Sequence, residues 1–331
     1  MTAKKKTKSS AAKKGDSLDI AKALGDMGVN ITTDTNDFKS PYYVDSGMYS
    51  VNQILGDEPG IPNGVIMYYG GENSGKTTVA LQALVSAQKQ GLDCFYFNQE
   101  RAVNQSLISC FPDLDAQKVN WVTAPDGETC LDAIKHILKT VPKAFCVLDS
   151  IPACQPKAVL EAETGKHFMA PLARIFTQFM AEVKNLCFYN HSTLLMINQK
   201  RENLDAYGFA DKLPGGNALK HNCDIIVRFK VRGKIKVAED IIGHTVEAET
   251  MKNRFQGKGK KAHSTLIYGK GFSREYDVFE QALSFGLVSK GGAWFTIGEN
   301  KFQGVMSAIH HLEENPEITE DLASQISDLL S

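Results

Sequence analysis

The residues best suited to chemistry lie in one glycine-bracketed run, YGGENSGKTT, at positions 69–78. Its spacing fits the pattern GxxxxGK[ST], and the run stands between an apolar strand and an amphipathic helix. Backbone N–H groups of such a loop can surround phosphate oxygens, and the helix directs its positive N-terminal end at them. The pattern predicts a nucleotide site in which Lys76 bridges the terminal phosphates and Thr77 ligates Mg²⁺. The alternative is a glycine turn that a Lys-Thr pair follows by chance. The candidate binding residues are Gly70, Gly71, Glu72, Asn73, Ser74, Gly75, Lys76, Thr77 and Thr78.

Three polar residues end apolar strands and are candidates for the same site. Asp149 ends FCVLD, where an aspartate can hold magnesium through water; a helix cap is the alternative. Glu100 ends CFYFNQE and could orient and deprotonate the water that attacks the γ-phosphate, or form a surface ion pair. Gln199 ends TLLMINQ and could sense the γ-phosphate for the loop that follows, or be an ordinary polar loop residue.

The elements that position these residues alternate from Val65 onward. The predicted strands are VIMYY, CFYFN, FCVLD and TLLMIN, and the helices are KTTVALQALVSAQKQG, TCLDAIKHILKT and about residues 169–190. Strands that are apolar throughout, separated by amphipathic helices, predict a parallel sheet covered on both faces. After residue 224, DIIVRFKV, TVEAETMKN and HSTLIYG predict an antiparallel extension of that sheet.

The predicted fold class is therefore α/β, a P-loop NTPase core with a mixed, mainly parallel central sheet. The core spans residues 45–273, and residues 274–331 form a small α+β domain with a hairpin, AWFTIGENKF, turning at Gly298 to Asn300. LDIAKALGDMG at 18–28 predicts a short N-terminal docking helix within the segment 17–44. Residues 1–16 are polar and basic, which predicts a disordered tail.

Composition predicts a soluble globular protein and excludes a membrane protein. The chain has 331 residues, 43% apolar and 23% charged, with no apolar stretch near the roughly 18 residues that span a membrane. The lysine-rich start lacks the apolar segment of a signal peptide, so we expect a cytoplasmic location. Seven scattered cysteines without CxxC spacing predict reduced thiols, not disulfides or a zinc site.

Charge is segregated along the chain. The net charge is −1, but basic residues concentrate at the N-terminus and over 228–261, whereas no Lys or Arg follows Lys301. The pattern suggests a basic working surface and an acidic far end, unless both are ordinary solvated faces.

Two long segments follow strand ends, where open α/β sheets bind ligands. They span about residues 156–174, with Met169 and Arg174, and about residues 200–216, which continue into GGNALK. The second segment combines cations with aromatic side chains, as single-stranded DNA binding requires. The alternative is a substrate lid of a small-molecule kinase. The candidate residues of the second segment are Lys200, Arg201, Tyr207, Phe209, Lys212 and Lys220.

Further motifs extend the pattern well beyond the phosphate loop. GGENSGKTTVALQ, NQER, VLDSIPACQPKAVLEAETG, LLMINQKR, LPGGNALK, MKNRF, LIYGKGF, GAWFTIGENKFQG and HHLEENPEI follow in this order. Together they resemble the bacterial RecA recombinase family over about residues 45–330. The resemblance implies a RecA-like core and an ATP- and Mg²⁺-dependent recombinase, with roles in DNA repair and the SOS response. It also implies a helical homo-oligomeric filament on single-stranded DNA that pairs with homologous duplex, aided by single-stranded-DNA-binding and loader proteins.

The resemblance assigns roles to individual residues. The family's ATP and magnesium positions are matched by Lys76, Thr77 and Asp149. Glu100 matches the water-activating glutamate, and Gln199 matches the γ-phosphate sensor. Lys252 and Arg254 match cations that reach the neighbouring subunit's ATP. Tyr268 and Gly269 match residues near the adenine. Arg174, Arg201, Gly215, Gly216, Asn217 and Lys220 match DNA-contacting positions.

The sequence also departs from the family pattern. Leu107 stands where a tyrosine usually stacks on adenine, Arg254 replaces a lysine, and Ile226 stands where a DNA-contacting arginine is expected. These changes suggest a divergent member, for example one encoded by a phage and working in host cytoplasm. Two alternatives stay open: a nucleotide-switched DNA-coating or mediator protein without strand exchange, and a P-loop kinase of a small molecule.

Overall fold

The computed structural model describes residues 22–27, 35–163, 170–200, 213–237 and 239–330. The chain divides into two compact units, Met1–Ser40 and Pro41–Ser331. In the first unit, residues 22–26 form a short helix, α1, and Thr35–Phe38 form a 3₁₀ turn. Helix α1 lies within the predicted segment 18–28, whereas the predicted tail over 1–16 lies outside the described residues.

The second unit contains the site and the sheets. Its helices are α2 (Tyr49–Asn52), α3 (Lys76–Lys89), α4 (Gln105–Ile108), α5 (Gly127–Thr140), α6 (Lys157–Leu160), α7 (Pro171–Tyr189), α8 (Asn217–Asn222), α9 (Arg274–Ser284), α10 (Val305–Glu314) and α11 (Pro316–Leu330). Its strands are β1 (Tyr43–Val44), β2 (Ile61–Pro62), β3 (Gly64–Gly70), β4 (Asp93–Asn98), β5 (Val119–Val122), β6 (Ala144–Asp149), β7 (Thr193–Gln199), β8 (Ile225–Val237), β9 (Asp240–Asn253), β10 (Lys261–Ile267), β11 (Gly271–Phe272), β12 (Val288–Gly291), β13 (Trp294–Ile297) and β14 (Asn300–Gln303).

The central sheet has nine strands in the order β11-β10-β9-β8-β3-β7-β6-β4-β5. Neighbours from β8 through β3 to β5 pair in parallel, whereas β8, β9, β10 and β11 pair antiparallel. The predicted mixed, mainly parallel sheet with an antiparallel extension is therefore confirmed. The carboxyl ends of β3, β4, β6 and β7 meet at one edge, as parallel pairing requires, and the candidate residues lie there.

Strand β3 is apolar throughout because both of its faces are covered. Ile66 and Tyr68 belong to one buried cluster that includes the inner side of α3. Val65 and Met67 belong to a second cluster formed with α5 and α7. Side chains on both faces of β3 are thus packed in a buried cluster that includes helices. The loop after β3 therefore starts from a rigidly packed strand.

The C-terminal region forms a small sheet of its own, and its buried cluster also includes Tyr49 of α2. Strands β12, β13 and β14 pair antiparallel, and Phe279 of α9 packs on Phe295 of β13 with ring centroids 5.3 Å apart. The predicted hairpin is confirmed, with Ile297 opposite Asn300 and Gly298 at φ 57° in the turn between them. A left-handed turn residue favours glycine, which explains its place in AWFTIGENKF.

Several short elements were not predicted from the sequence, namely β1, β2, α2, α4, α6, α8, β11, β12 and the edge strand β5. In β5 the sequence VNWV leaves Asn120 and Trp121 exposed, so its pattern is not that of a buried strand. The seven cysteines all lie in the described part and are free thiols, six of them buried. Among the described residues, no helix is long and apolar enough to span a membrane.

Candidate nucleotide-binding site

The run predicted to bind phosphate forms the turn between β3 and α3. Gly75 adopts φ 81°, and a Cβ there would lie 2.6 Å from Phe272 Cζ. A Cβ at Gly70 would lie 2.5 Å from the carbonyl oxygen of Phe229. Both glycines of the pattern are therefore required by close packing, which brings the loop backbone to the start of α3.

Lys76 folds back over this loop. Its Nζ donates to the carbonyl oxygen of Gly71 at 2.7 Å and to Ser74 Oγ at 3.3 Å, and the residue is 8% exposed. Burial lowers the pKa of Lys76, and the carboxylates of Asp149, Glu100 and Glu72 act against this shift. A cavity of about 330 Å³ adjoins the loop, lined by Glu72, Asn73, Ser74, Gly75, Lys76, Thr77, Thr78, Glu100, Asp149, Ile197 and Gln199.

Asp149 lies beside Thr77 at the end of β6. Its Oδ2 accepts hydrogen bonds from Thr77 Oγ1 at 2.8 Å and from the hydroxyl of Tyr96 at 2.7 Å. Burial raises the pKa of Asp149. Its Oδ1 is buried without a hydrogen-bond partner in the described structure, so one carboxylate oxygen is left for a ligand.

This donor set fits magnesium. Mg²⁺ prefers oxygen ligands and is usually held by one or two protein groups together with substrate phosphates and water. The hydroxyl of Thr77 and the free Oδ1 of Asp149 are such ligands. The described residues include no group of three His, Cys, Asp or Glu side chains that could hold a metal ion.

Glu100 and Gln199 meet across the cavity. Gln199 Nε2 donates to Glu100 Oε1 at 2.8 Å, although β6 separates their strands in the sheet. The backbone N–H of Glu100 donates to the carbonyl oxygen of Asp149 at 2.9 Å. This bond holds the residues that follow β4 against the end of β6. The structure thus brings together the predicted residues Lys76, Thr77, Glu100, Asp149 and Gln199, while their chemical roles stay predictions.

Tyr268 and Gly269, predicted to lie near the base, are not in the lining of this cavity. The Tyr268 side chain is 54% exposed, and its hydroxyl lies 3.2 Å from His244 Nδ1. His244 is 5% exposed and has no partner for Nε2 in the described structure. Burial lowers the pKa of His244, and the nearby backbone of Asn73 acts against this shift. His244 thus lies beside Tyr268 and near the backbone of Asn73 in the phosphate loop, a proximity that no motif in the sequence indicates.

Lys252 and Arg254 lie away from the cavity of their own chain. Lys252 Nζ donates to the carbonyl oxygens of Lys220 at 2.9 Å and His221 at 2.7 Å. Arg254 donates to His221 O at 3.3 Å and lies 3.5 Å from Asp224 Oδ1. Both cations therefore stabilise the C-terminal end of α8, where unpaired carbonyls favour positive charge.

The described DNA candidates lie at the bases of the two long segments. Arg174 is exposed in the first turn of α7, and Asn217 and Lys220 are exposed on α8. A Cβ on Gly216 would lie 2.8 Å from Ala173 Cβ, so the beginnings of α7 and α8 touch. Gly215, at φ 90°, is buried beside them. Lys200 follows β7 directly, and Met169, Arg201, Tyr207, Phe209 and Lys212 lie outside the described residues.

Two departures from the family pattern have a structural reason. Ile226 is 4% exposed in β8 and belongs to the core cluster that includes Met67. Leu107 is half-buried in the short helix α4 and packs against the other core cluster. Both positions therefore contribute packing, and an aliphatic side chain at either cannot supply the polar or stacking contact of the usual residue.

Comparison with known proteins agrees with this architecture over nearly the whole chain. A family model described as the RecA N-terminal domain matches residues 16–273, and one described as the RecA C-terminal domain matches residues 276–331. Protein RecA of Sulfurovum sp. (strain NBC37-1) is 30% identical over 96% of this chain and 94% of its own length. Protein RecA of Corynebacterium glutamicum (strain R) is 33% identical over 97% of this chain and 87% of its own length.

A solved structure shares the fold. The crystal structure of the RadB recombinase has a TM-score of 0.52 at 20% identity and covers 70% of this chain and 98% of its own. The family models match both the core and the small C-terminal domain, and they do so in the order of the motifs along the sequence. The chain therefore belongs to the RecA family.

Proposed function

We propose that this chain is a DNA-dependent ATPase that forms a helical filament on single-stranded DNA and catalyses homologous pairing and strand exchange. The observation that supports this most directly is the hydrogen bond between Gln199 and Glu100 beside the phosphate loop. Glu100 is a carboxylate suited to activate water, and Gln199 is the last residue of β7. After Gln199 the chain continues into the second predicted DNA segment. Family membership supports the recombinase role at a coarser level.

In this proposal, Gln199 changes partner when ATP binds. Its amide now donates to Glu100 Oε1 at 2.8 Å. A γ-phosphate brought in by Lys76 is a stronger, charged acceptor for the same amide. Moving the amide to the phosphate frees Glu100 to accept a proton from the attacking water, and it shifts the backbone entering residues 200–212. The state of the bound nucleotide and the affinity for DNA are thereby coupled.

The described lining of the cavity offers little positive charge for hydrolysis. The described lining of the cavity contains three carboxylates, Glu72, Glu100 and Asp149, and one cation, Lys76. Bound Mg²⁺ would supply charge neutralisation at the phosphates, with Thr77 and Asp149 to hold it. Negative charge still develops on the γ-phosphate during its transfer, and this charge must be stabilised from the open side of the cavity. We assign this role to Lys252 and Arg254 of the next subunit, so that the site is complete only in the filament.

The DNA-binding role depends on cations at the bases of the two long segments. Arg174 and Lys220 are exposed on α7 and α8, which touch through Gly216 and Ala173. Cations on two helices that touch in this way, one in the first turn of α7 and one on the short helix α8, can bind successive phosphates of one strand. Because Ile226 is buried in the core, DNA contact through β8 is reduced relative to the usual family arrangement.

The test is to measure ATP hydrolysis with and without single-stranded DNA while imaging the same samples for helical filaments. We expect turnover and filaments to rise together when DNA is added. A strand-exchange assay with homologous and heterologous duplex separates a recombinase from a mediator that only coats DNA. Turnover that is independent of DNA, without filaments, would favour a small-molecule kinase and overturn the proposal.

A further inference from the structure

A buried phenol reaches the phosphate site from the middle of β4. Tyr96 is fully buried, and its ring lies against Trp121 with centroids 5.3 Å apart. Its hydroxyl donates to Asp149 Oδ2 at 2.7 Å. Phe97, the next residue, fills the core on the other face with no polar atom. A buried hydroxyl costs free energy unless it is bonded, so packing alone does not account for the oxygen on Tyr96.

The contacts of the Asp149 carboxylate are unequal. Oδ2 accepts two hydroxyl hydrogens, from Tyr96 at 2.7 Å and from Thr77 at 2.8 Å. Oδ1 is buried and accepts none from the described residues. Two donors on one oxygen fix the rotation of the carboxylate, and they leave the other oxygen as its available acceptor.

A second buried tyrosine provides a comparison. Tyr68 in β3 is also fully buried, and its ring packs on Phe229 with centroids 5.1 Å apart. Its hydroxyl has no hydrogen-bond partner in the described structure. The bond from Tyr96 to Asp149 is therefore specific to its place beside the phosphate loop and not a general property of buried tyrosines in this sheet.

We propose that Tyr96 is a positioning residue for the magnesium–nucleotide complex, holding Asp149 so that Oδ1 accepts from the water shell of Mg²⁺. The assignment rests on the proposed binding of ATP at the phosphate loop. Groups that orient a ligand-bearing carboxylate affect metal affinity even though they do not touch the metal. Tyr96 thus affects the Mg²⁺ concentration at which nucleotide binding is enhanced, whereas Lys76 and the loop bind the phosphates directly.

The experiment is a binding titration of the full chain with a fluorescent ATP analogue, first in EDTA and then with increasing MgCl₂. For Tyr96→Phe we expect the affinity in EDTA to stay within about twofold of the wild type. The MgCl₂ concentration that gives half-maximal enhancement should rise on the order of tenfold. Tyr68→Phe is the matched control, because it removes an unbonded hydroxyl from another buried strand of the same sheet, and it should leave both values unchanged.

A double-mutant cycle identifies the partner of the hydroxyl. In an Asp149→Asn background, Tyr96→Phe should give no further change in the magnesium requirement, since its effect acts through the carboxylate. An equal shift in both backgrounds would overturn the assignment, as would a Tyr96→Phe midpoint at or below that of the wild type. Equal losses of affinity in EDTA and in MgCl₂ would show a general structural role and also overturn it. A wild-type chain that binds no nucleotide would instead overturn the proposed function itself.

Discussion

At the scale of single residues, the hydrogen bond between Gln199 and Glu100 describes a resting site. With Gln199 Nε2 at 2.8 Å, Oε1 of Glu100 already accepts a hydrogen bond, which makes this oxygen a weaker base toward water. In the proposed cycle the amide moves to the γ-phosphate when ATP binds, which would link the chemical step to the position of the chain after β7. The proposal gives the two residues separable roles: Glu100 acts on water, and Gln199 makes this step depend on the bound nucleotide.

We predict that Glu100→Gln binds ATP and forms filaments but hydrolyses ATP at least roughly 10²-fold more slowly, because the water loses its base while the phosphate grip remains. The measurement is steady-state ATP turnover on single-stranded DNA, with filaments imaged in the same samples. Asp93→Asn, at the opposite end of β4, is the control for the same carboxylate-to-amide change. Unchanged turnover in Glu100→Gln would show that another group activates the water.

The sequence was informative for some of these residues and silent for others. Lys76, Thr77, Glu100, Asp149 and Gln199 could be predicted to converge, because parallel strands bring their carboxyl ends to one edge of a sheet. The bond of Tyr96 to Asp149 could not be predicted, nor could the place of His244 near the phosphate loop. The hydroxyl of Tyr96 reaches Asp149 only through the pairing of β4 with β6, in which Asn98 lies opposite Asp149. His244 reaches the phosphate loop from β9, far away in the sequence.

At the scale of elements, α8 connects the second predicted DNA segment to the cations proposed to act in the next subunit. It starts at the glycine pair Gly215–Gly216 and ends where Lys252 binds its last carbonyls. A displacement of α8 by DNA would change the hydrogen bonds that its carbonyl oxygens accept from Lys252. The helix is thus placed to couple DNA binding to the supply of charge at a neighbouring ATP.

We predict that Lys252→Ala lowers DNA-stimulated ATP turnover while nucleotide binding to the single chain is retained, because the lysine serves the adjacent site. Lys258→Ala, an exposed lysine in the connection after β9, is the control. Mixing Lys252→Ala with Lys76→Ala chains should restore part of the turnover, since some interfaces then combine an intact Lys76 with an intact Lys252. Loss of nucleotide binding by the isolated Lys252→Ala chain would contradict the assignment.

The contact of α9 with β10 contains a buried carboxyl group. Asp277 Oδ2 accepts from Ser264 Oγ at 2.7 Å, and Oδ1 accepts from the backbone N–H of Thr265 at 3.1 Å. Burial raises the pKa of Asp277 to about 8, against an ordinary value of 3.8. The folded chain therefore keeps this proton over a pH range in which the unfolded chain has lost it. The stability that Asp277 contributes is fully present below pH 3.8 and is lost as pH rises to about 8.

We predict that Asp277→Asn, which cannot ionise, removes this loss. Thermal unfolding followed from about pH 5 to about pH 8 should show the wild-type midpoint falling relative to that of Asp277→Asn as pH rises. Asp321→Asn, an exposed position on α11, should run parallel to the wild type. Parallel curves for Asp277→Asn and the wild type would mean that Asp277 is ionised in the folded protein.

Most of the elements could be predicted, and the exceptions share a cause. Strands such as β3 and β6 are buried at every position, so their apolar runs are unmistakable. Strand β5 is a four-residue edge strand with two exposed positions, and α2 and α4 are single turns. Elements this short have no periodicity of their own, and their pairing or packing with the rest of the fold determines them.

At the scale of the whole molecule, a net charge of −1 gives no overall attraction to DNA. Binding must therefore depend on local cations at the bases of the two long segments, among them Arg174 on α7 and Lys220 on α8. Such binding releases counterions from the phosphates, so its affinity depends on salt even though the chain as a whole is nearly neutral. The slope of that dependence counts the phosphate contacts.

We predict that the affinity for single-stranded DNA falls linearly in a plot of log affinity against log salt, with a slope near −0.7 for each phosphate contacted. Arg174→Ala should make the slope shallower by about 0.7, because one contact is lost. Lys139→Ala, near the end of α5 and away from the site, should leave it unchanged. The measurement is fluorescence anisotropy of a labelled oligonucleotide in the presence of ATP over a range of salt concentrations. A flat salt response in the wild type would mean that stacking and not phosphate contact dominates, and that the exposed cations of α7 and α8 serve another purpose.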